Sequence, residues 1–219
     1  MKFHTPFLIV TLSLAARSAA FGQGTFQNLD FESAALVSVP GDPFGSVYAA
    51  QALPGWTGYI GTQQATSVWN NNIPVGGAFP FISIDGPDFP FPNHMQGHYY
   101  LTLGAGIDSL GNPIPAALAQ TGQVPGTARA VHFLATAQVN LSFAGHPMVV
   151  FPLGNGQFGA DISPFASQAG ELRFEVNNSI PRLDFIQFSD QPIPEPSTLG
   201  LFAIGTLFLG WKLRRKPNL

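Results

Sequence analysis

The chain has 219 residues with no cysteine, 24 glycines and 20 prolines, room for one domain of ordinary size and targeting segments besides. Missing thiols exclude a disulfide framework and a thiolate metal site. Between Gln23 and Pro192 three basic residues (Arg129, Arg173, Arg182) face eleven acidic ones, which leaves no basic stripe for a nucleic-acid partner.

In chain order, MKFHTPFLIVTLSLAARSAAFGQG combines a positive Lys2, an apolar run from Phe7 to Ala16, and the small residues Ser18, Ala19, Ala20 and Gly22. This is the pattern of a secretory signal peptide over residues 1–22, cut by signal peptidase after Ala20 or after Gly22. A buried helix at the start of the domain is the plainer alternative, and Arg17 suits the signal pattern poorly.

The body, residues 23–192, is rich in apolar residues and is punctuated throughout by Gly and Pro, which predicts an all-β domain. Phe81–Ile84, Tyr99–Leu103, Ala130–Val139 and Asn140–Phe143 read as strands. Asn155-Gly156, between two apolar runs, predicts a hairpin turn because both residues accept positive φ. Glu171–Val176 alternates polar and apolar without error, the mark of a half-buried strand. Arg182–Ser189 is another strand, but its apolar phase slips between Phe185 and Ile186, predicting a bulge or burial on both faces. No amphipathic helix exceeds two turns. These elements predict an antiparallel jelly-roll or β-sandwich of about eight to ten strands. The proline-rich stretch Asn70–Asn93 reads as a long surface loop around one short strand.

Aromatic rings stack on the apolar C–H face of a sugar, so Trp69, Tyr59 and Tyr100 are candidates for contact with extracellular polysaccharide. Trp69 precedes Asn70, Asn71 and Asn72, whose amides suit sugar hydroxyls; a half-exposed tryptophan without a ligand is the equal alternative. Trp56, after Pro54-Gly55, reads as core, and alternation sends one of Tyr99 and Tyr100 inward. His94 and His98 are four apart, but Pro and Gly surround them and no acid lies between, unlike a zinc-protease helix. Nucleophile elbows, P-loops and dinucleotide fingerprints are missing, so no catalytic residue is assigned. A glycan-active enzyme would need two carboxylates, for which Asp85, Asp88, Asp161 and Asp184 are available.

The chain closes on IPEPSTLGLFAIGTLFLGWKLRRKPNL. Two prolines keep Pro194-Glu195-Pro196 extended, where a processing enzyme could grip it; a plain helix boundary is the alternative. An apolar run follows with Leu199, Phe202, Ile204, Leu207, Phe208 and Trp211, somewhat short of the about 20 residues of a full membrane crossing. Lys212, Arg214, Arg215 and Lys216 end it, and such a basic cluster stays cytoplasmic, placing the body across the membrane. The signal peptide demands the same topology.

Tripeptide, apolar helix and basic tail together resemble the PEP-CTERM sorting signal of Gram-negative bacteria, over residues 193–219. The resemblance implies recognition of Pro194, Glu195 and Pro196 by an exosortase-type membrane transpeptidase, a membrane-anchored precursor, and delivery to the cell surface or extracellular matrix. The order NLDFES, LPGWTGY, Tyr99-Tyr100-Leu101, ALAQTG, ADISPFASQAGELRF and LDFIQFS resembles galactose-binding-like jelly rolls of exported bacterial proteins. That resemblance implies carbohydrate binding and a structural calcium near the first and last strands, with Asp30, Glu32 and Asp184 in the matching places. The expected protein is a non-catalytic, polysaccharide-associating surface module, with a ligand-free structural coat as the alternative.

Overall fold

The computed structural model describes residues 26–73, 79–89 and 95–193. Its strands are, in order, β1 (Ser46–Tyr48), β2 (Thr57–Ile60), β3 (Gln63–Gln64), β4 (Ser67–Asn70), β5 (Phe81–Asp85) and β6 (Tyr100–Gly104). Then come β7 (Gly106–Ile107), β8 (Pro113–Ile114), β9 (Ala116–Gln123), β10 (Ala130–Ala135), β11 (Asn140–Phe143) and β12 (His146–Met148). The last four are β13 (Val150–Gly154), β14 (Gln157–Asp161), β15 (Ala169–Val176) and β16 (Arg182–Ser189). The helical elements among the described residues are one turn, α1 (Ala49–Ala52), and a 3₁₀ turn at Ser163–Phe165.

Two open sheets face each other across one core. The larger runs β1-β4-β5-β6-β16-β10-β14-β13, the smaller β12-β11-β15-β9-β2-β3, and β7 with β8 forms a small ribbon. Phe133 of the large sheet meets Phe174 of the small one edge-on, their centroids 5.2 Å apart. Trp56 leans on the same Phe174 at 6.2 Å and donates its indole N–H to Asn28 O at 2.9 Å, so its polar atom is satisfied inside the core. The expected core role of Trp56 thus holds, at 6% exposure. The chain's first described residues are pinned by a reciprocal amide pair: Gln27 N–H donates to Gln120 Oε1, and Gln120 Nε2 donates back to Gln27 O.

Local chemistry explains the clearest elements. In β15 Leu172, Phe174 and Val176 are buried while Glu171, Arg173 and Glu175 face outward, as their alternation requires. The hairpin between β13 and β14 turns on Asn155 (φ 51°) and Gly156 (φ 75°), both left-handed. The phase slip in β16 is a bulge: Phe185 has φ 50°, and the pairing with β10 shifts between His132 and Leu134.

The structure departs from expectation in three ways. There are sixteen strands among the described residues, because two- and three-residue strands such as β3, β7, β8 and β12 are too short to show a period. One pair, β4 with β5, is parallel, where the expectation was an antiparallel sandwich. And β10 stops at Ala135, short of Val139.

Candidate functional site

The large sheet carries a continuous row of side chains on the face turned away from the core. Register places Ser46 beside Trp69, Trp69 beside Ser83, Ser83 beside Thr102, and Thr102 beside Arg182. Asp85 and Tyr100 form the next rung. The alternate residues Val47, Val68, Ile82, Ile84, Leu101, Leu103 and Leu183 point into the core. Polar residues two apart on apolar strands therefore converge on one surface.

That surface is covered. Asp85 and Ser83 are wholly buried, Thr102 and Tyr100 nearly so. Ser83 Oγ donates to Asp85 Oδ1 at 2.6 Å, and Thr102 Oγ1 donates to Asp85 Oδ2 at 2.5 Å. Burial pushes the Asp85 carboxyl above its ordinary range, and the two hydroxyls and the Arg182 charge pull it back. Tyr100 is raised as well, chiefly by burial and then by the Asp85 charge. The Arg182 guanidinium lies over the Tyr100 ring at 5.6 Å, and among the described residues the Tyr100 hydroxyl has no hydrogen-bond partner. Tyr99 is the member of the pair packed against the core, while Tyr100 lies on the opposite face but is only 2% exposed, which corrects its assignment as an exposed sugar platform.

Beside this buried cluster the face opens into an aromatic ledge. Trp69 stacks on Phe81 at 5.5 Å with the planes 16° apart, and Phe44 lies against Trp69 at 6.4 Å. Phe44 is 62% exposed and Tyr48 40%, so the ledge is wet at its outer end. The three asparagines after Trp69 serve the scaffold. Asn70 Nδ2 donates to Ile84 O, Asn71 Oδ1 accepts from Gly86 N, and Asn72 Nδ2 donates to Phe44 O, which holds the Phe44 backbone by the ledge.

The acidic residues singled out near the first and last strands do come together. Glu32 Oε1 accepts the N–H groups of His98 (2.6 Å) and Tyr99 (2.8 Å), and Glu32 Oε2 lies 3.3 Å from His98 Nδ1. Gly97, at φ 65°, passes so close to the Glu32 carboxylate that a Cβ would collide with it. Asp184 accepts from Gln96 N and Phe185 N, and Asp30 Oδ1 accepts from Glu32 N. Burial, with Glu32 and Asp30 adding repulsion, raises the Asp184 carboxyl to about 7. Among the described residues no three His, Asp or Glu side chains are placed to hold a metal ion. These oxygens staple the 95–99 segment to the Asp30–Glu32 turn and to β16.

Tyr59 belongs to the other sheet. The Arg173 guanidinium sits 4.9 Å over its ring, and Arg173 Nε donates to Glu175 Oε2 at 3.1 Å. Arg173 and Glu175 also line an open cleft of about 480 Å³ with Asn140, Ser142, Met148 and Val149. Tyr59 therefore does not join Trp69. Sequence reasoning missed Phe44, Ser83, Thr102 and Arg182; the spacing Ser83/Asp85, Tyr100/Thr102 and Arg182/Asp184, polar at every second strand position, was the available signal.

The signal peptide, Pro194 to Pro196, the anchor residues and the basic tail lie outside the described residues. Among the described residues no helix is long and apolar enough to cross a membrane. Residues 192–216 match the PEP-CTERM protein-sorting motif. No curated protein is detectably similar to the chain. Among solved structures, the chain is similar to the enzymatically active domain of tailspike protein 4 of bacteriophage CBA120, with a TM-score of 0.37 and 17% identity. The match covers 62% of this chain and 19% of that one. The sorting motif implies an exported protein that an exosortase-type enzyme processes at the membrane.

Proposed function

We propose that this PEP-CTERM-sorted chain delivers a non-catalytic β-sandwich of the galactose-binding-like jelly-roll type to the cell surface or extracellular matrix of a Gram-negative bacterium, where it associates with polysaccharide. Its run of apolar residues from Leu199 serves as the transient anchor, and signal peptidase cuts after Ala20 or Gly22. The observation that carries the reading is the ledge of Phe44, Trp69 and Phe81, packed in series and open at Phe44. A flat aromatic surface held by packing presents its face to sugar C–H groups with little entropy left to lose. The buried carboxylates support a non-catalytic role, since Asp85 and Asp184 each accept two hydrogen bonds within the fold.

The reading is tested by matrix retention of the full chain in its native host. Phe44→Ala and Trp69→Ala should each lower retention by about tenfold, the equivalent of ~1.4 kcal/mol. Unchanged retention in both variants would favour a structural coat with no glycan ligand.

A further inference from the structure

The last backbone rung of the body is Arg129 N–H to Ser189 O, at 2.7 Å. Beyond it Ser189 Oγ accepts Gln191 N–H at 3.0 Å, and Gln191 Nε2 donates to Asp190 Oδ1 at 3.0 Å, a side-chain turn that bends the chain off the strand. Ala130 of β10 faces Ser189 on one side and Asp161 of β14 on the other, and Gly159 lies two residues further along β14, beside His132. Ile193 has reached Gly159. Its Cδ1 lies 2.5 Å from where a Cβ on Gly159 would stand, with Leu153 Cδ1 at 3.1 Å. Within four residues of the strand end the chain has passed β10 and seated a half-buried isoleucine in the notch left by a glycine.

Gly159 is not among the glycines with positive φ, so its backbone has no need of glycine. A glycine inside a strand then marks a close approach, here by the residue that directly precedes Pro194-Glu195-Pro196. We propose that Ile193 on Gly159 is a clip by which the sandwich holds the start of its own sorting segment, and that the membrane transpeptidase must lift it off before processing. The proposal rests on the sorting reading, in which residues 192–216 are the substrate segment. An enzyme that takes its substrate extended binds only the released form, so its apparent affinity falls by the released fraction. Partial burial of one isoleucine side chain makes that fraction about tenfold smaller. Glu195 can lie no more than about 7 Å beyond Ile193, so the enzyme also meets the outer face of β13 and β14.

Two variants of the full chain approach the clip from opposite sides. Gly159→Ala leaves every residue of the sorting segment unchanged and displaces Ile193 with a methyl group that the strand backbone accepts. Ile193→Ser empties the notch. In pulse–chase labelling in the native host, with the C-terminal peptides identified by mass, both should speed processing by about tenfold. The double variant should be no faster than either, since the two changes break one contact. An unchanged rate in Gly159→Ala, or slower processing in Ile193→Ser alone, would overturn the clip and make Ile193 a residue that the enzyme reads directly. A measurement free of processing stands beside it: in the detergent-solubilised full chain, the Ile193 δ1 methyl should show a nuclear Overhauser contact to the Gly159 α-protons. Its absence would overturn the clip by itself. A wild-type chain that is never cut would sink the sorting reading instead, and the methyl contact would still decide the clip.

Discussion

The two sheets solve the same problem differently. Strand β15 of the small sheet buries one face and leaves the other partly to water, so Leu172, Phe174 and Val176 alternate with Glu171, Arg173 and Glu175. Strands β5 and β6 of the large sheet are buried at every residue, and Ser83, Asp85, Tyr100 and Thr102 face a covered surface where water would ordinarily serve them. A polar residue at an outward position thus means solvent in one sheet and an internal network in the other. The same alternation hides two energetic regimes.

Substitutions should separate those regimes. The largest effect belongs to the shared core: Phe174→Ala, which removes the ring between Trp56 and Phe133, should cost about 3–5 kcal/mol in denaturant unfolding. Next, Asp85→Ala strips the acceptor from two buried hydroxyls and the countercharge from Arg182, and should cost about 3 kcal/mol in the same assay. A cost below about 0.5 kcal/mol would show that the covered face is as wet as the other sheet's.

Asp184 sharpens the comparison through pH. Its carboxyl is raised from 3.8 to about 7, so the folded state binds this proton more tightly than the unfolded chain does. The contribution is therefore complete below about 3.8 and is lost as pH rises through about 7. Wild type should gain thermal stability relative to Asp184→Asn between pH 8 and pH 5; a difference in Tm that stays constant over that range would contradict the buried carboxyl. The smallest effect is on the small sheet's outer face. Glu175→Gln breaks a partly exposed pair with Arg173 and should change stability by no more than about 1 kcal/mol, less in high salt.

How legible the molecule was depended on what lay over each strand. Glu171–Val176 and the Asn155-Gly156 hairpin were plain because local rules decide them, and of the bulge or two-sided burial that the slip at Phe185 allowed, the bulge forms. Tyr100 misled, because alternation turns it away from the core and only the covering of that face of β5 and β6 buries it. Asn71 misled for a related reason: its acceptor was taken by Gly86 N, a partner that the parallel β4–β5 pairing brings near.

By itself the sequence determined the all-β class, the core role of Trp56, the acidic body and the sorting segment at its end, since these follow from composition, short-range periodicity and a contiguous motif. Only the tertiary structure decided that Trp69 joins Phe44 and Phe81, that Tyr59 lies under Arg173 on the other sheet, and that Ile193 rests on Gly159. Each of those contacts joins separate segments through strand register and packing, and register is a property of pairs of strands that no single strand carries.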